Sequence, residues 1–91
     1  IYLAPEPGER LSGHATAIDG DSLRLDGAEI RLAGLDAPEL HQTCLRDGRA
    51  YACGEAARQE LARIAASGPL TCDVTGRDRY RRRVARCTSE G

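Results

Sequence analysis

The sequence contains neither phenylalanine nor tryptophan, and its aromatic residues are three tyrosines among 91 residues. A core must therefore be built from Leu, Ile, Val, Ala and Cys, so we expect covalent staples to add stability. A chain of this length has room for one such core, which predicts a single domain. The scarcity of aromatic residues also disfavours a surface that grips nucleic acid by stacking bases.

Several patterns that would define a function class are missing. The sequence has no apolar run long enough for a membrane-spanning helix, so we expect no membrane partner. It has no CxxC pair, which weakens a zinc interpretation, and no glycine-rich phosphate loop. The sequence also lacks a Ser/His/Asp or Cys/His pattern of the kind that predicts an enzyme with a nucleophilic side chain.

Lysine is absent, and all thirteen basic residues are arginines in a chain of net charge −1. The chain as a whole therefore has no attraction for polyanions. Its arginines are nevertheless unevenly placed, and one cluster lies within ten residues: Arg77, Arg79, Arg81, Arg82, Arg83 and Arg86. Such a run is usually a solvated face, although it can also supply a local field for phosphate binding.

Four cysteines in so short a chain are typical of a disulfide framework and of an oxidising compartment. We therefore expect a secreted or periplasmic protein. Four cysteines permit three pairings. We favour Cys44–Cys53 and Cys72–Cys87, because each pair joins neighbours in the fold predicted below.

The order of predicted elements indicates a mainly β fold. Residues 1–9, with Pro5 and Pro7, predict an extended arm, and residues 10–91 form the domain. Strands are expected at residues 11–18 (with a bend at Gly13), 22–25 and 30–35, and they form a three-stranded meander because Asp26-Gly27 favours a hairpin. An irregular loop at 41–52, a helix at 55–66 and strands at 70–75 and 83–88 follow.

Three strands, a helix and two further strands are the order of an OB-type five-stranded barrel, with one helix between the third and fourth strands. In such a barrel the fourth and fifth strands pair antiparallel. Cys72 and Cys87 then both face inward, where a disulfide would fill part of the volume that aromatic side chains do not supply.

The segment at residues 30–39 carries the most informative chemistry. Arg31 alternates with Ile30 and Leu32, so its side chain lies on the opposite face of the strand. Asp36 and Glu39 follow in the next turn, and Asp21 lies in the turn after the first meander strand. Carboxylates that converge at adjacent strand ends suit Ca²⁺ or Mg²⁺.

Arginines beside such carboxylates predict a site for a phosphate ester. Arg31 and Arg82 could hold the phosphate oxygens while Glu39 positions a water, which describes metal-assisted hydrolysis. The alternative for each residue alone is structural: Asp19-Gly20-Asp21 as a turn, Asp36 and Glu39 as surface charges or caps, and Arg31 as a solvated side chain.

The ordered motifs together resemble the staphylococcal-nuclease-like (thermonuclease) family, and the cysteine placement resembles its exported bacterial members. The resemblance runs from about Leu11 to the last residue. The matching segments are Ala17-Ile18-Asp19-Gly20-Asp21-Ser22-Leu23, Ile30-Arg31-Leu32-Ala33-Gly34-Leu35-Asp36-Ala37-Pro38-Glu39, Gly54-Glu55-Ala56-Ala57 and Gly76-Arg77-Asp78-Arg79-Tyr80-Arg81-Arg82.

This resemblance implies a Ca²⁺-dependent nuclease that hydrolyses DNA and RNA, with single-stranded substrates. The roles it implies are carboxylate ligands to calcium at Asp21 and Asp36, a carbonyl ligand at Ala37, a general base at Glu39, phosphate-binding catalytic arginines at Arg31 and Arg82, and nucleotide-phosphate contacts at Arg79 and Tyr80. The alternative from another class is a noncatalytic OB-fold binding or interaction module within a larger exported protein.

Two departures from the family pattern carry expectations of their own. Arg81 stands where the family usually has glycine, so a positive φ there would be costly. The two helices that follow the barrel in the family are absent from this sequence. We therefore expect an uncovered apolar side of the barrel, relieved by self-association, strand exchange or a partner.

Overall fold

The computed structural model describes residues 9–89, so the predicted arm lies outside the described residues except for Glu9. The described part is mainly β, as predicted. Its elements are β1 (Arg10–Gly13), β2 (Ala15–Asp19), β3 (Ser22–Leu25), β4 (Ala28–Leu32), β5 (Cys44–Arg46), β6 (Arg49–Tyr51), α1 (Cys53–Ala66), β7 (Leu70–Arg77) and β8 (Arg83–Ser89).

The predicted meander is confirmed as the antiparallel ladder β2–β3–β4. Asp26 and Gly27 form its second turn with φ values of 49° and 78°, both in the left-handed region that a tight hairpin requires. The first predicted strand, residues 11–18, is instead two strands. The chain turns at Gly13, whose φ of 151° favours glycine, and β1 pairs with β7 while β2 pairs with β3.

Six strands form one sheet in the order β1-β7-β8-β4-β3-β2. β7 and β8 are antiparallel, as predicted, and β8 also runs parallel to β4. The edge strands β1 and β2 are separated in sequence by His14 alone, so the sheet must curl strongly. No ladder joins these two edges in the described chain, and the sheet is therefore not the closed five-stranded barrel that the sequence predicted.

The interval 41–52, predicted to be an irregular loop, contains a second, two-stranded sheet. β5 and β6 pair antiparallel around Asp47-Gly48, where both residues have positive φ (51° and 76°). The prediction of a loop is therefore wrong for residues 44–51. Asp-Gly is a hairpin signal, but three-residue strands are too short to show alternation.

Helix α1 begins two residues earlier than predicted and packs Leu61 and Ala65 against the sheet. The buried core is made of small apolar side chains: Ala15, Leu23, Leu25, Ile30, Leu61, Ala65, Leu70, Cys72 and Ala85. Both favoured disulfides, Cys44–Cys53 and Cys72–Cys87, are present. Cys72 is fully buried, so the second disulfide supplies core volume as expected.

Some large apolar side chains stay on the surface of the described residues: Leu35, Leu45, Ile64 and Tyr80. Whether copies of the chain associate through an uncovered side of the sheet stays a prediction. Within residues 9–89, helix α1 lacks the length and hydropathy that crossing a bilayer would require.

Candidate functional site

The carboxylate of Asp21 is the centre of the candidate site. Asp21 lies at the β2–β3 turn, and its side chain is 14% exposed. Oδ2 accepts a hydrogen bond from the Ala37 backbone N–H at 3.2 Å, and Oδ1 accepts one from the Ser22 hydroxyl at 3.3 Å. The same residue accepts the Leu32 N–H at its backbone carbonyl, at 2.8 Å. Asp21 therefore ties the β2–β3 turn to the end of β4 and to the segment that follows it.

Arg31 projects from β4 toward this carboxylate. Its Nη1 lies 2.9 Å from Asp21 Oδ2 and donates to the Leu35 carbonyl at 2.7 Å. Its Nη2 is 4.0 Å from Asp36 Oδ1. The guanidinium side chain is 27% exposed, whereas that of Asp36 is 98% exposed. Arg31 thus lies between a mostly buried carboxylate and a fully exposed one, and its own side chain stays partly accessible.

The segment 36–42 is held against the start of α1 by close backbone packing. Gln42 N–H donates to the Glu39 carbonyl, and Gly54 N–H donates to the Gln42 carbonyl. A Cβ at Gly54 would lie 1.8 Å from the Glu39 carbonyl oxygen, so only glycine permits this approach. Gly20 is also confined, though less tightly, since a Cβ there would lie 2.7 Å from Ala37 Cβ and 2.6 Å from Ala57 Cβ.

Calcium binding by this group was an expectation of the sequence, and the arrangement itself does not fit such an ion. Ca²⁺ takes six to eight oxygen ligands. Asp21 Oδ2 already faces Arg31 and Ala37 N–H. Within residues 9–89, no group of three or more His, Cys, Asp or Glu side chains is arranged to hold a metal. Calcium ligation by Asp21, Asp36 and the Ala37 carbonyl therefore stays a prediction, and it requires Arg31 to turn away.

Arg82, the second predicted anion-binding arginine, is held by carboxylates as well. Its Nε donates to Asp78 Oδ2 at 2.7 Å, and its Nη1 donates to Glu29 Oε2 at 3.2 Å. Glu29 and Arg31 lie two residues apart on β4 and so share one face of the strand. The structure therefore places Arg82 against the same face of β4 as Arg31, with Glu29 as its immediate partner.

Asp78 organises the loop between β7 and β8. Its Oδ1 accepts the backbone N–H groups of Tyr80 and Arg82, at 2.9 Å and 2.8 Å. Burial raises the pKa of the Asp78 carboxyl, but the hydrogen bonds from Arg82 and from the two backbone N–H groups outweigh it. The net pKa is lower than the ordinary value of 3.8. Asp78 is thus an ionised anchor for the loop.

The Tyr80 side chain in this loop is exposed, and two arginines pack against its ring. The guanidinium carbon atoms of Arg79 and Arg82 lie 4.8 Å and 5.6 Å from the centre of the Tyr80 ring. Arg81 has a φ of 66°, in the left-handed region that is costly for a residue with a side chain. Arg77 stabilises it by donating from Nη1 to the Arg81 carbonyl at 2.9 Å.

Part of the predicted site is therefore assembled. Asp21, Arg31, Asp36 and Ala37 are brought together, whereas Arg82 sits with Glu29 and Asp78. The Glu39 side chain makes no hydrogen bond or ion pair with another described residue, although its backbone N–H donates to Gln42 Oε1 at 3.2 Å. Asp78 and Glu29 were missed by the sequence reasoning. An aspartate at the start of a predicted turn favours an Asx turn, and this signal could have indicated Asp78.

No protein-family model matches the chain. Among curated proteins, the chain is similar to the succinoglycan biosynthesis protein ExoI of Rhizobium meliloti (strain 1021), with 42% identity over 81 residues. The match covers 87% of this chain and 42% of that protein. The chain thus spans less than half the length of the curated relative.

These findings correct the functional assignment made from the sequence. The staphylococcal-nuclease-like family is not supported, because no family model matches and the curated relative is named for succinoglycan biosynthesis. The predicted Ca²⁺-dependent nuclease or phosphodiesterase activity is overturned by the same findings, as is the alternative of a noncatalytic OB-fold module. The short motifs behind the assignment have local structural roles here. Gly20 permits close packing, and Asp21 joins the β2–β3 turn to the segment after β4 by accepting a hydrogen bond from Ala37 N–H.

Proposed function

We propose that this chain acts in the biosynthesis of a succinoglycan-type polysaccharide, in a secreted or periplasmic setting. The observation that carries the proposal is the 42% identity to ExoI, which extends over 87% of the chain. Two disulfides within a chain of this size support an oxidising compartment. Because the chain spans 42% of that relative, the proposal concerns the contribution of one domain.

The Asp21–Arg31–Asp36 cluster offers chemistry that suits a polar glycan. Arg31 is fixed by Asp21 and the Leu35 carbonyl, yet some of its five N–H donors remain accessible. Asp36 presents a carboxylate that is 98% exposed and whose Oδ1 lies 4.0 Å from Arg31 Nη2. A guanidinium and a carboxylate side by side can donate to and accept from sugar hydroxyl groups without a large rearrangement.

A domain exchange in the relative tests the proposal. In a Rhizobium meliloti strain that lacks ExoI, we expect ExoI carrying this chain in place of its matched segment to restore succinoglycan production. The same chimera with Arg31→Ala should restore less, whereas Arg24→Ala, an exposed arginine on β3, should not differ from the unmodified chimera. A chimera that accumulates at normal levels and yields no succinoglycan would overturn the proposed function. Full succinoglycan production with the Arg31→Ala chimera would show that the Asp21–Arg31–Asp36 cluster has no part in the proposed function.

A further inference from the structure

The β5–β6 hairpin is separate from the main sheet and carries an open cleft. The cleft has a volume of about 650 Å³ and is lined by Arg46, Asp47, Arg49, Ala50 and Tyr51. The described residues from 45 to 50 are all exposed, so the hairpin contributes little to the core. An isolated two-stranded hairpin is marginally stable in water. The cleft is therefore built on an element whose presence packing alone does not explain.

A disulfide fixes the base of this hairpin. Cys44, in β5, is bonded to Cys53, the first residue of α1, and lies directly opposite Tyr51 in the ladder. The strands are thereby anchored to the helix at the end nearest the fold. Such an anchor reduces the conformational entropy that a ligand-binding hairpin would otherwise lose on binding.

The register places the polar side chains of the cleft together. Arg46 is directly opposite Arg49, and Cys44 is opposite Tyr51. Because facing residues share a side of the ladder and side chains alternate along each strand, Arg46, Arg49 and Tyr51 lie on one face. Leu45 and Ala50 belong to the other face of the ladder, so Ala50 borders the cleft from its edge.

The two arginines on this face are not neutralised by the fold. Within the described part of the chain, neither has a carboxylate within ion-pair distance, unlike Arg31 and Arg82. The guanidinium carbon of Arg46 lies 4.6 Å from the centre of the Tyr51 ring, and its Nη2 is 3.5 Å from the Tyr51 hydroxyl. Tyr51 therefore orients Arg46 without cancelling its charge.

We propose that this hairpin face is a binding site for a carboxylate-bearing glycan. Arginine binds carboxylates through paired N–H donors, and two arginines face each other here. Asp47, at the rim, can accept hydrogen bonds from sugar hydroxyls, and its charge opposes a phosphate backbone, charged at every residue, more than a glycan with isolated carboxylates. The Tyr51 ring supplies an apolar surface against which a sugar can pack. This combination favours an acidic glycan over a nucleic acid.

The choice of glycan rests on the proposed function, whereas the site itself rests on the hairpin. The test uses the oxidised full chain and isothermal titration with maltohexaose carrying succinyl half-esters, plain maltohexaose, and single-stranded oligo(dT). We expect the succinylated sugar alone to bind. Arg46→Ala with Arg49→Ala should weaken that binding at least tenfold. Arg24→Ala with Arg86→Ala, which removes the same charge from exposed strand positions, should change it less than twofold.

Other outcomes would overturn the inference. Equal binding of plain maltohexaose would remove the role of the carboxylate, and tighter binding of oligo(dT) would make the face a phosphate site. An equal loss of affinity in the two double variants would show that binding depends on the overall charge of the chain and not on the hairpin arginines. Far-UV circular dichroism of each variant guards against misreading a folding defect as lost binding. A chimera that fails to restore succinoglycan while the hairpin binds as expected would overturn the proposed function alone.

Discussion

At the scale of single residues, Asp21 and Asp36 face the same guanidinium with very different exposure. Asp21 is 14% exposed and accepts hydrogen bonds from Ala37 and Ser22, whereas Asp36 is 98% exposed. Asp21→Ala leaves Arg31 and these donors without their acceptor, so we expect a loss of about 1–3 kcal/mol in the free energy of unfolding. Asp36→Ala should stay within about 0.5 kcal/mol of the original chain.

Urea unfolding of the two variants checks this difference. Asp21→Asn serves as the intermediate case, because its amide oxygen can still accept from Ala37 N–H while the charge is lost. Equal stabilities for Asp21→Ala and Asp36→Ala would contradict the central position given to Asp21.

Arg31 also controls the affinity of Asp21 and Asp36 for Ca²⁺. A divalent cation at Asp21 and Asp36 must compete with a guanidinium 2.9 Å from Asp21 Oδ2. Removing that positive charge frees the carboxylate and lowers the repulsion, so Arg31→Ala should bind Ca²⁺ more tightly than the original chain does. Binding to the folded state raises the unfolding midpoint with ligand concentration, which thermal unfolding in CaCl₂ measures. Arg31→Ala with Asp36→Asn is the control, and an equal midpoint shift in both variants would contradict the ligand set.

At the scale of elements, the β7–β8 loop depends on one ionised group. The pKa of Asp78 in the folded state lies below the ordinary value of 3.8. Its contribution to stability is therefore fully present above about pH 3.8 and is lost as the pH falls through the lowered folded pKa. Below that range the loop should lose its anchor, because protonated Asp78 is a weaker partner for Arg82 and for the two backbone N–H groups.

Amide resonances of Tyr80 and Arg82 provide the measurement. In the original chain they should shift with an apparent midpoint below pH 3.8, and in Asp78→Asn they should not follow that transition. A midpoint at or above 3.8 would show that Asp78 is not held ionised by the loop.

The sequence predicted elements that depend on local signals. Asp26-Gly27 located a hairpin because its φ requirement is met by those two residues alone. The β5–β6 hairpin was missed although Asp47-Gly48 gives the same signal, because Cys44, Leu45 and Arg46 show no readable periodicity. The parallel pairing of β4 with β8 joins residues more than fifty positions apart, and no local pattern encodes it.

The same division holds for the candidate site. Alternation along β4 put Arg31 on the face opposite Ile30, and the strand ends brought Asp21 and Asp36 to one guanidinium, but no contact joins the Glu39 side chain to them among the described residues. Residue identity did not show that Arg31 and Asp21 would satisfy each other, nor that Glu29 would pair with Arg82 across 53 positions. Those contacts depend on the curl of the whole sheet. The functional assignment had the same weakness, since it rested on short turn motifs that the fold itself can require.

At the scale of the whole molecule, two disulfides do different work. Cys72 is fully buried and faces Cys87 across β7 and β8, in a core that has no phenylalanine or tryptophan. Cys44–Cys53 closes a shorter segment, nine residues against fifteen, and joins an exposed hairpin to the helix. Closing a fifteen-residue loop stabilises the fold by roughly 3 kcal/mol through chain entropy, and closing a nine-residue loop stabilises it only slightly less. Burial must therefore make the main difference between the two disulfides.

We therefore expect Cys72→Ala with Cys87→Ala to cost more than about 3 kcal/mol, because a core cavity adds to the lost constraint. Cys44→Ala with Cys53→Ala should cost less and act mainly on the hairpin. Urea unfolding compares the global stabilities, and backbone amide spectra show where each variant changes. If the variant without Cys72–Cys87 does not fold, its loss exceeds the whole stability of the original chain, and urea unfolding of the variant without Cys44–Cys53 then measures the smaller loss. A folded hairpin-disulfide variant whose spectrum changes throughout β7 and β8 would contradict the division, because only a shared core could carry that change.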